Sequence, residues 1–210
     1  MLVLGCDPAL TTFAFSHIRI KDDGRGLRVE SSGFIPSVKT LRNLTNRPRL
    51  IKDPRTIIRV QPSVKQSVKA LRSVFSQMLD LEGVVNGGYL TPSLVAFERF
   101  QARGPQAGAS VEYVSFMNGI LSSLCSANGI AIRAVMASEW KGAFNRADPV
   151  GMDLDAAYAA AKKHALLPHS FDSAAIAVYS SSVFEVFPKE AFMRLLPQLA
   201  EAVNGWADKD

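Results

Sequence analysis

Three acidic residues stand at suggestive places along the 210-residue chain: Asp7 closes the apolar run LVLGCD, Glu98 closes LVAFE, and Asp172 opens FDSAAIAVY. Carboxylates gathered in one cleft repel one another, so such a set is unfavourable unless protons or a cation neutralise it. Oxygen-only donors select hard ions, Mg²⁺ or Mn²⁺, over zinc. Two such ions about 4 Å apart can stabilise both the attacking and the leaving oxygen of an in-line phosphodiester hydrolysis. Nucleic acid cleavage is the natural use of that chemistry. Each residue also has a plainer reading. Asp7 before Pro8 is a turn former, Glu98 is a strand-end carboxylate pairing Arg99 or Arg103, Asp172 is a first-turn residue complementing a helix dipole, and His169 is a surface residue before a helix. Joint placement singles them out.

The elements that must position these residues follow from periodicity. LVLGCD, FAFSHIRI and the segment from Leu27 to Ile35 read as three consecutive strands joined by tight turns. A basic, proline-interrupted stretch from about 36 to 61 has no clean period and reads as an extended or loop-like insertion. From Pro62 the spacing of Val64, Val68, Leu71, Phe75 and Met78 is helical, with Pro62 in the first turn and Gly83 as terminator. LVAFE is a fourth strand ending at Glu98. A helix carrying Val114, Met117, Leu121 and Leu124 closes near Asn128 and Gly129. The strand IAIRAV follows, then a polar-aromatic segment, ASEWKGAFNRADPVG, then helices from about 153 to 165, 170 to 183 and 189 to 203. Antiparallel strands first and helix-linked parallel strands afterwards imply an α/β fold, a mixed five-stranded sheet with helices on its faces. If the first and fourth strands are parallel neighbours, Asp7 and Glu98 face each other at the carboxyl edge of the sheet, where open α/β sheets place their sites. Ala174, Ala175 and Ala177 would let the Asp172 helix lie close against that sheet.

At 210 residues and 48% hydrophobic content, the chain has the size of one ordinary domain with a real core. One domain over 1–210 is expected, with the insertion at about 36–61 and a helical extension at about 185–210. No apolar run approaches a bilayer span and no secretory signal is legible, so a soluble, cytoplasmic protein is expected. Cys6 and Cys125 lie inside apolar segments, as buried free thiols do. The formal charge is +5, and its distribution carries more meaning than its size. Lys39, Arg42, Arg47, Arg49, Lys52, Arg55, Arg59, Lys65, Lys69 and Arg72 are opposed by Asp53 alone between Val38 and Arg72. A cluster of that kind suits a phosphate backbone; a solvated loop is the alternative.

LVLGCDP resembles the first-strand motif of the RuvC family of Holliday junction resolvases, LVAFER its second acidic motif, and HSFDSAAIAVY its third, in which a histidine stands three residues before the aspartate. The resemblance runs from about Met1 to Phe184 apart from the basic insertion. It implies a ribonuclease H-like fold, a homodimer, two Mg²⁺ or Mn²⁺ ions per site, and paired nicks in four-way DNA junctions whose ends can be religated, in a bacterium or a phage. It further implies that Asp7 bridges both metals, that Glu98 and Asp172 each hold one, and that His169 ligates a metal or helps activate the attacking water. Lys141, in SEWKGAF, falls where the family places a lysine near the scissile phosphate. Arg146 is the nearest counterpart of the family's second basic residue, and Arg99 and Arg103 are further candidate DNA contacts. Lys39, Arg42, Arg47 and Arg49 would extend the contact along a junction arm.

The chain departs from the family pattern at Ala9 and Ala14, where glycines are usual, and at Gln101, where an aromatic is frequent. Phe100, one residue earlier, is the candidate wedge for unstacking a base step, with a core role as the alternative. Two other function classes compete with a nuclease. One is a nucleic-acid-binding relative that has kept the fold and lost cleavage. The other is a sugar-kinase or actin-type ATPase, which needs two domains and glycine-rich phosphate loops that are missing from this chain.

Overall fold

In the computed structural model the described residues are 1–9, 12–21, 26–36, 56–58, 72, 73, 75, 76, 78, 79, 91–99, 108–147 and 167–181. They build a six-stranded mixed sheet from β1 (Leu2–Pro8), β2 (Thr12–Ile20), β3 (Leu27–Pro36), β4 (Thr56–Ile58), β5 (Leu94–Glu98) and β6 (Ala131–Val135), in the order β4-β3-β2-β1-β5-β6. The five strands read from sequence are present, with β1, β2 and β3 antiparallel and β5 and β6 parallel to β1. β4 is the difference. It lies in the segment expected to be loop-like and pairs parallel to the outer edge of β3. Three residues carry no readable period, so the unpaired edge of β3 supplies the reason for this strand.

Two apolar layers sandwich the sheet. On β1 the side chains alternate: Leu4 and Cys6 join Phe13, Phe15, Val95 and Phe97 on one face, whereas Val3 joins Ile18, Ile20 and Ala96 on the other. The first face is covered by α1 (Gly108–Ala127), through Tyr113, Val114, Met117, Leu121 and Leu124, and by helical residues around Phe75 and Met78. His17, buried on this face, bonds Ser31 Oγ at 2.9 Å and the Met78 carbonyl at 3.1 Å, which ties those helical residues to β2. α1 ends as expected near Asn128 and Gly129. Gly129 takes φ 66°, Ile130 N–H bonds the Cys125 carbonyl at 2.9 Å and Gly129 N–H that of Ser126 at 3.3 Å. Those bonds form a Schellman cap, which requires a left-handed residue at this position.

The second face is covered by α2 (Ala137–Ala147) and α3 (Leu167–Tyr179). α2 falls on the polar-aromatic segment for which no regular structure was expected. Its start is marked by Glu139, whose side chain accepts a bond from Met136 N–H at 2.7 Å, the reach-back half of a capping box. α3 begins three residues earlier than the expected 170 and stops at Tyr179 instead of 183. Pro168 is compatible with a first helical turn, so the helix takes in His169, and Asp172 belongs to its second turn, not its first. The expected helices at 153–165 and 189–203, and most of the one starting at Pro62, lie outside the described residues.

Close approach of α3 to the sheet is set by Gly5. A Cβ at that position would overlap the Ser173 carbonyl oxygen and come within 2.7 Å of Ala177 N and 2.8 Å of Ala177 Cβ. Glycine on the strand and alanine on the helix therefore let the two backbones nearly touch, and Ser16 Oγ and Ser173 Oγ bond across the same seam at 2.7 Å. Among the described residues no helix is long and apolar enough to cross a membrane.

Candidate active site

The register of the sheet brings the first two acids together. Val3 to Cys6 pair in parallel with Leu94 to Phe97, and one further step sets Asp7 beside Glu98. Asp7 follows Val3 and Gly5 on the α3 face, and Glu98 follows Ala96 on the same face, because strand side chains alternate. α3 runs antiparallel to β1 above them, with Ala177 and Ser173 over Gly5 and His169 one turn further on over Asp7. On a helix His169 and Asp172 are three residues apart and share a side.

His169 Nδ1 and Asp7 Oδ2 are 2.6 Å apart. That bond raises the His169 pKa above its ordinary value, and the charges of Asp7 and Asp172 push the same way against burial and Lys141. Lys141, on α2, places Nζ 3.5 Å from Asp172 Oδ2, and Asp172 is itself buried. Glu98 accepts a hydrogen bond from Trp140 Nε1–H at 2.7 Å. Burial raises the Glu98 pKa, as does the neighbouring Asp7 carboxylate, while the Trp140 bond and the positive charges of Lys141 and His169 work to lower it. Five side chains that sequence reading singled out, Asp7, Glu98, Lys141, His169 and Asp172, thus converge on one edge of the sheet.

Other candidates fall elsewhere. Arg99 is exposed just past β5, its backbone N–H bonded to the Val135 carbonyl at 2.9 Å. The backbone of Arg146 belongs to α2, but its side chain lies outside the described residues. The same is true of Phe100, Arg103, Lys39, Arg42, Arg47 and Arg49 as whole residues. Cys6 and Cys125 are buried free thiols, and burial pushes Cys125 to about 11 and Cys6 upward as well. Both are inert as nucleophiles at neutral pH. Sequence reasoning missed Trp140, whose ring is fully buried against α3 and whose N–H finds Glu98. The available signal was that a buried Trp needs an acceptor for its N–H.

The donor set suits a hard cation, since three carboxylates offer only oxygen. Among the described residues, however, no three His, Cys, Asp or Glu side chains are gathered closely enough to cage an ion. The carboxylates meet protein donors instead, Asp7 with His169, Asp172 with Lys141 and Glu98 with Trp140.

The chain has a ribonuclease H-like fold, the fold of the RuvC Holliday junction resolvases. Among solved structures it is similar to Thermus thermophilus RuvC, with 15% identity over 90% of this chain and 98% of the other and a TM-score of 0.54. It is similar to the same protein in complex with a Holliday junction substrate, at 14% identity, the same coverage and a TM-score of 0.53. A third likeness is to the yeast mitochondrial Holliday junction resolvase, at 13% identity over 99% of this chain and 84% of that one, with a TM-score of 0.51. No protein-family model matches the chain, and no curated protein matches it by sequence.

Proposed function

We propose that the protein is a structure-selective endodeoxyribonuclease that resolves four-way DNA junctions by paired hydrolytic nicks. The observation that carries this reading is the convergence of Asp7, Glu98, His169 and Asp172, from β1, β5 and α3, at one edge of a sheet whose fold is shared with junction resolvases. Asp7, Glu98 and Asp172, with His169, are the residues that would hold Mg²⁺ or Mn²⁺. The ions would supply charge neutralisation for an attacking water and for the departing 3′ oxygen. In the reaction the water oxygen forms a bond to phosphorus as the bond to the 3′ oxygen breaks, leaving a 5′ phosphate and a 3′ hydroxyl that can be religated.

The protein's own groups prepare that step. Asp7 holds His169 by Nδ1, so Nε2 is the ring atom left to take the proton of the attacking water or to meet a cation. Lys141 offers a positive charge beside Asp172, where negative charge on a scissile phosphate would develop. Arg99, Arg103, Arg146 and Phe100, with the basic segment bearing Lys39, Arg42, Arg47 and Arg49, are the proposed DNA contacts around this edge. A homodimer would give the two nicks their symmetry.

A second reading is a branched-DNA binder that has lost cleavage, favoured by the lack of a three-ligand cluster among the described residues. Incubating an end-labelled four-way junction and Mg²⁺ with wild type and Asp7→Asn separates the two. Symmetric nicks that vanish in the variant, with junction binding retained, support the nuclease. Binding by wild type without any nick supports the silent relative.

A further inference from the structure

We propose that Trp140 is the positioning residue of this site, its buried indole N–H fixing the Glu98 carboxylate while its ring carries the Lys141 ammonium toward Asp172. Three contacts meet in this one side chain. Nε1–H donates to Glu98 Oε2 at 2.7 Å, Lys141 Nζ stands 4.8 Å from the ring centroid, and the same Nζ is 3.5 Å from Asp172 Oδ2. Trp140 has no exposed surface and belongs to the apolar cluster that includes Ala96, Val135, Phe171 and Ala174. It is therefore held from several elements at once and has little freedom to follow a wandering partner.

The chemistry of the contact is directional. An indole N–H is a donor only, so it selects an oxygen lone pair of Glu98 and holds one oxygen of the two. Among the described residues no hydrogen bond claims Oε1. A glutamate at a strand end otherwise samples several rotamers, and a site that must orient its carboxylate only when substrate arrives loses rate to that search. Lys141 gains from the same ring, because a cation over the face of Trp is attracted by the ring's quadrupole. α2 thereby orders two groups of the site with consecutive residues.

The catalytic half of this proposal rests on the nuclease reading; the positional half rests on the contacts alone, and the test separates them. Trp140→Phe keeps a ring for packing and for Lys141 but removes the N–H. In ¹⁵N-labelled full-length protein the Trp140 indole resonance is assigned by its disappearance in Trp140→Phe, the other tryptophan being Trp206. Glu98→Gln should move that resonance upfield, since an amide oxygen is a weaker acceptor than a carboxylate. On the labelled junction with Mg²⁺, Trp140→Phe should lower kcat about ten- to a hundredfold with KM for DNA unchanged, the size of loss that a misplacement of about 1 Å causes. Trp140→Leu, which also removes the face beneath Lys141, should lose more.

Wild-type kcat in Trp140→Phe, with only a lower melting midpoint, would reduce the residue to packing and overturn the proposal. An indole resonance indifferent to Glu98→Gln would overturn it too; this arm needs no cleavage, and if Trp140→Phe does not fold, Trp206→Phe assigns the remaining indole resonance to Trp140 instead. If wild type does not nick at all, the nuclease reading fails, while the resonance still decides whether the indole holds Glu98.

Discussion

Replacing Gly5 by alanine puts a methyl group into the seam on which the candidate site hangs. The added carbon would meet Ala177 Cβ at 2.8 Å and Ala177 N at 2.7 Å, and would overlap the Ser173 carbonyl, where ordinary contact begins at 3.4 Å. Contact with Ala177 N alone would demand a retreat of α3 by about 0.7 Å, and the Ser173 carbonyl demands more, against backbone atoms that cannot rotate away as a flexible side chain could. Overpacking of this kind costs about 1–3 kcal/mol, and backbone overlap puts Gly5→Ala at the upper end. For a chain of this length, about 3 kcal/mol corresponds to a drop of roughly 6–12 °C in melting midpoint. His169 rides on α3 one turn beyond Ser173, so its 2.6 Å bond to Asp7 should stretch to or past the long limit of about 3.2 Å, and junction nicking should fall with it. Urea unfolding followed by circular dichroism gives the stability, and nicking under folded conditions gives the coupling. The double variant Gly5→Ala/Ala177→Gly should be no more stable than Gly5→Ala, because the worst overlap is with the Ser173 backbone and glycine weakens the helix by a further ~1 kcal/mol. Recovery of wild-type stability in the double variant would refute this account of the seam.

Gly119→Ala, inside α1 where an added Cβ meets nothing within 4 Å, should stabilise the protein by about 0.5–1 kcal/mol in the same urea assay. Burial raises the Glu98 pKa, so ionised Glu98 is disfavoured in the folded state at neutral pH and the cost disappears on protonation. Glu98→Gln should accordingly raise the melting midpoint at pH 7 and leave it nearly unchanged near pH 4, scanned by calorimetry; an equal effect at both values would count against a buried charge. His169 has its pKa raised by Asp7, so the stability contributed by that pair is full below the unfolded histidine value, about 6.5, and is lost as pH rises through the folded value. The stability gap between wild type and His169→Gln should thus be widest near pH 6 and close as the solution becomes alkaline; a gap that widens toward high pH would reverse the assigned sign.

Much of the frame was legible in the chain because it rests on local pattern. An apolar run stopped by Pro8 marked β1, alternation marked β2, the turn residues DDGRG led into β3, the run LVAFE stopped at Glu98, Gly129 closed α1, and the alanines after Asp172 announced a helix able to lie on the sheet. Since strand side chains have a period of two, placing Asp7 and Glu98 at the ends of parallel neighbours was enough to set them on one face. What the sequence could not specify were features whose energy comes from partners distant in the chain. β4 is three residues long and exists through its pairing with β3. In α2 the apolar residues Ala137, Trp140, Ala143, Phe144 and Ala147 recur at helical spacing, so a helix was legible there, but only the tertiary structure decided that Trp140 is buried among sheet and α3 residues. The early start of α3, which converts His169 from a loop residue into a helix-borne partner of Asp7, and the bond from Trp140 to Glu98, 42 residues away in sequence, depend on packing that no local window contains. The residue types and their order came from the sequence; which oxygen is held, and by which donor, was decided by the folded contacts, because hydrogen bonds of about 3 Å are set by the positions of whole elements.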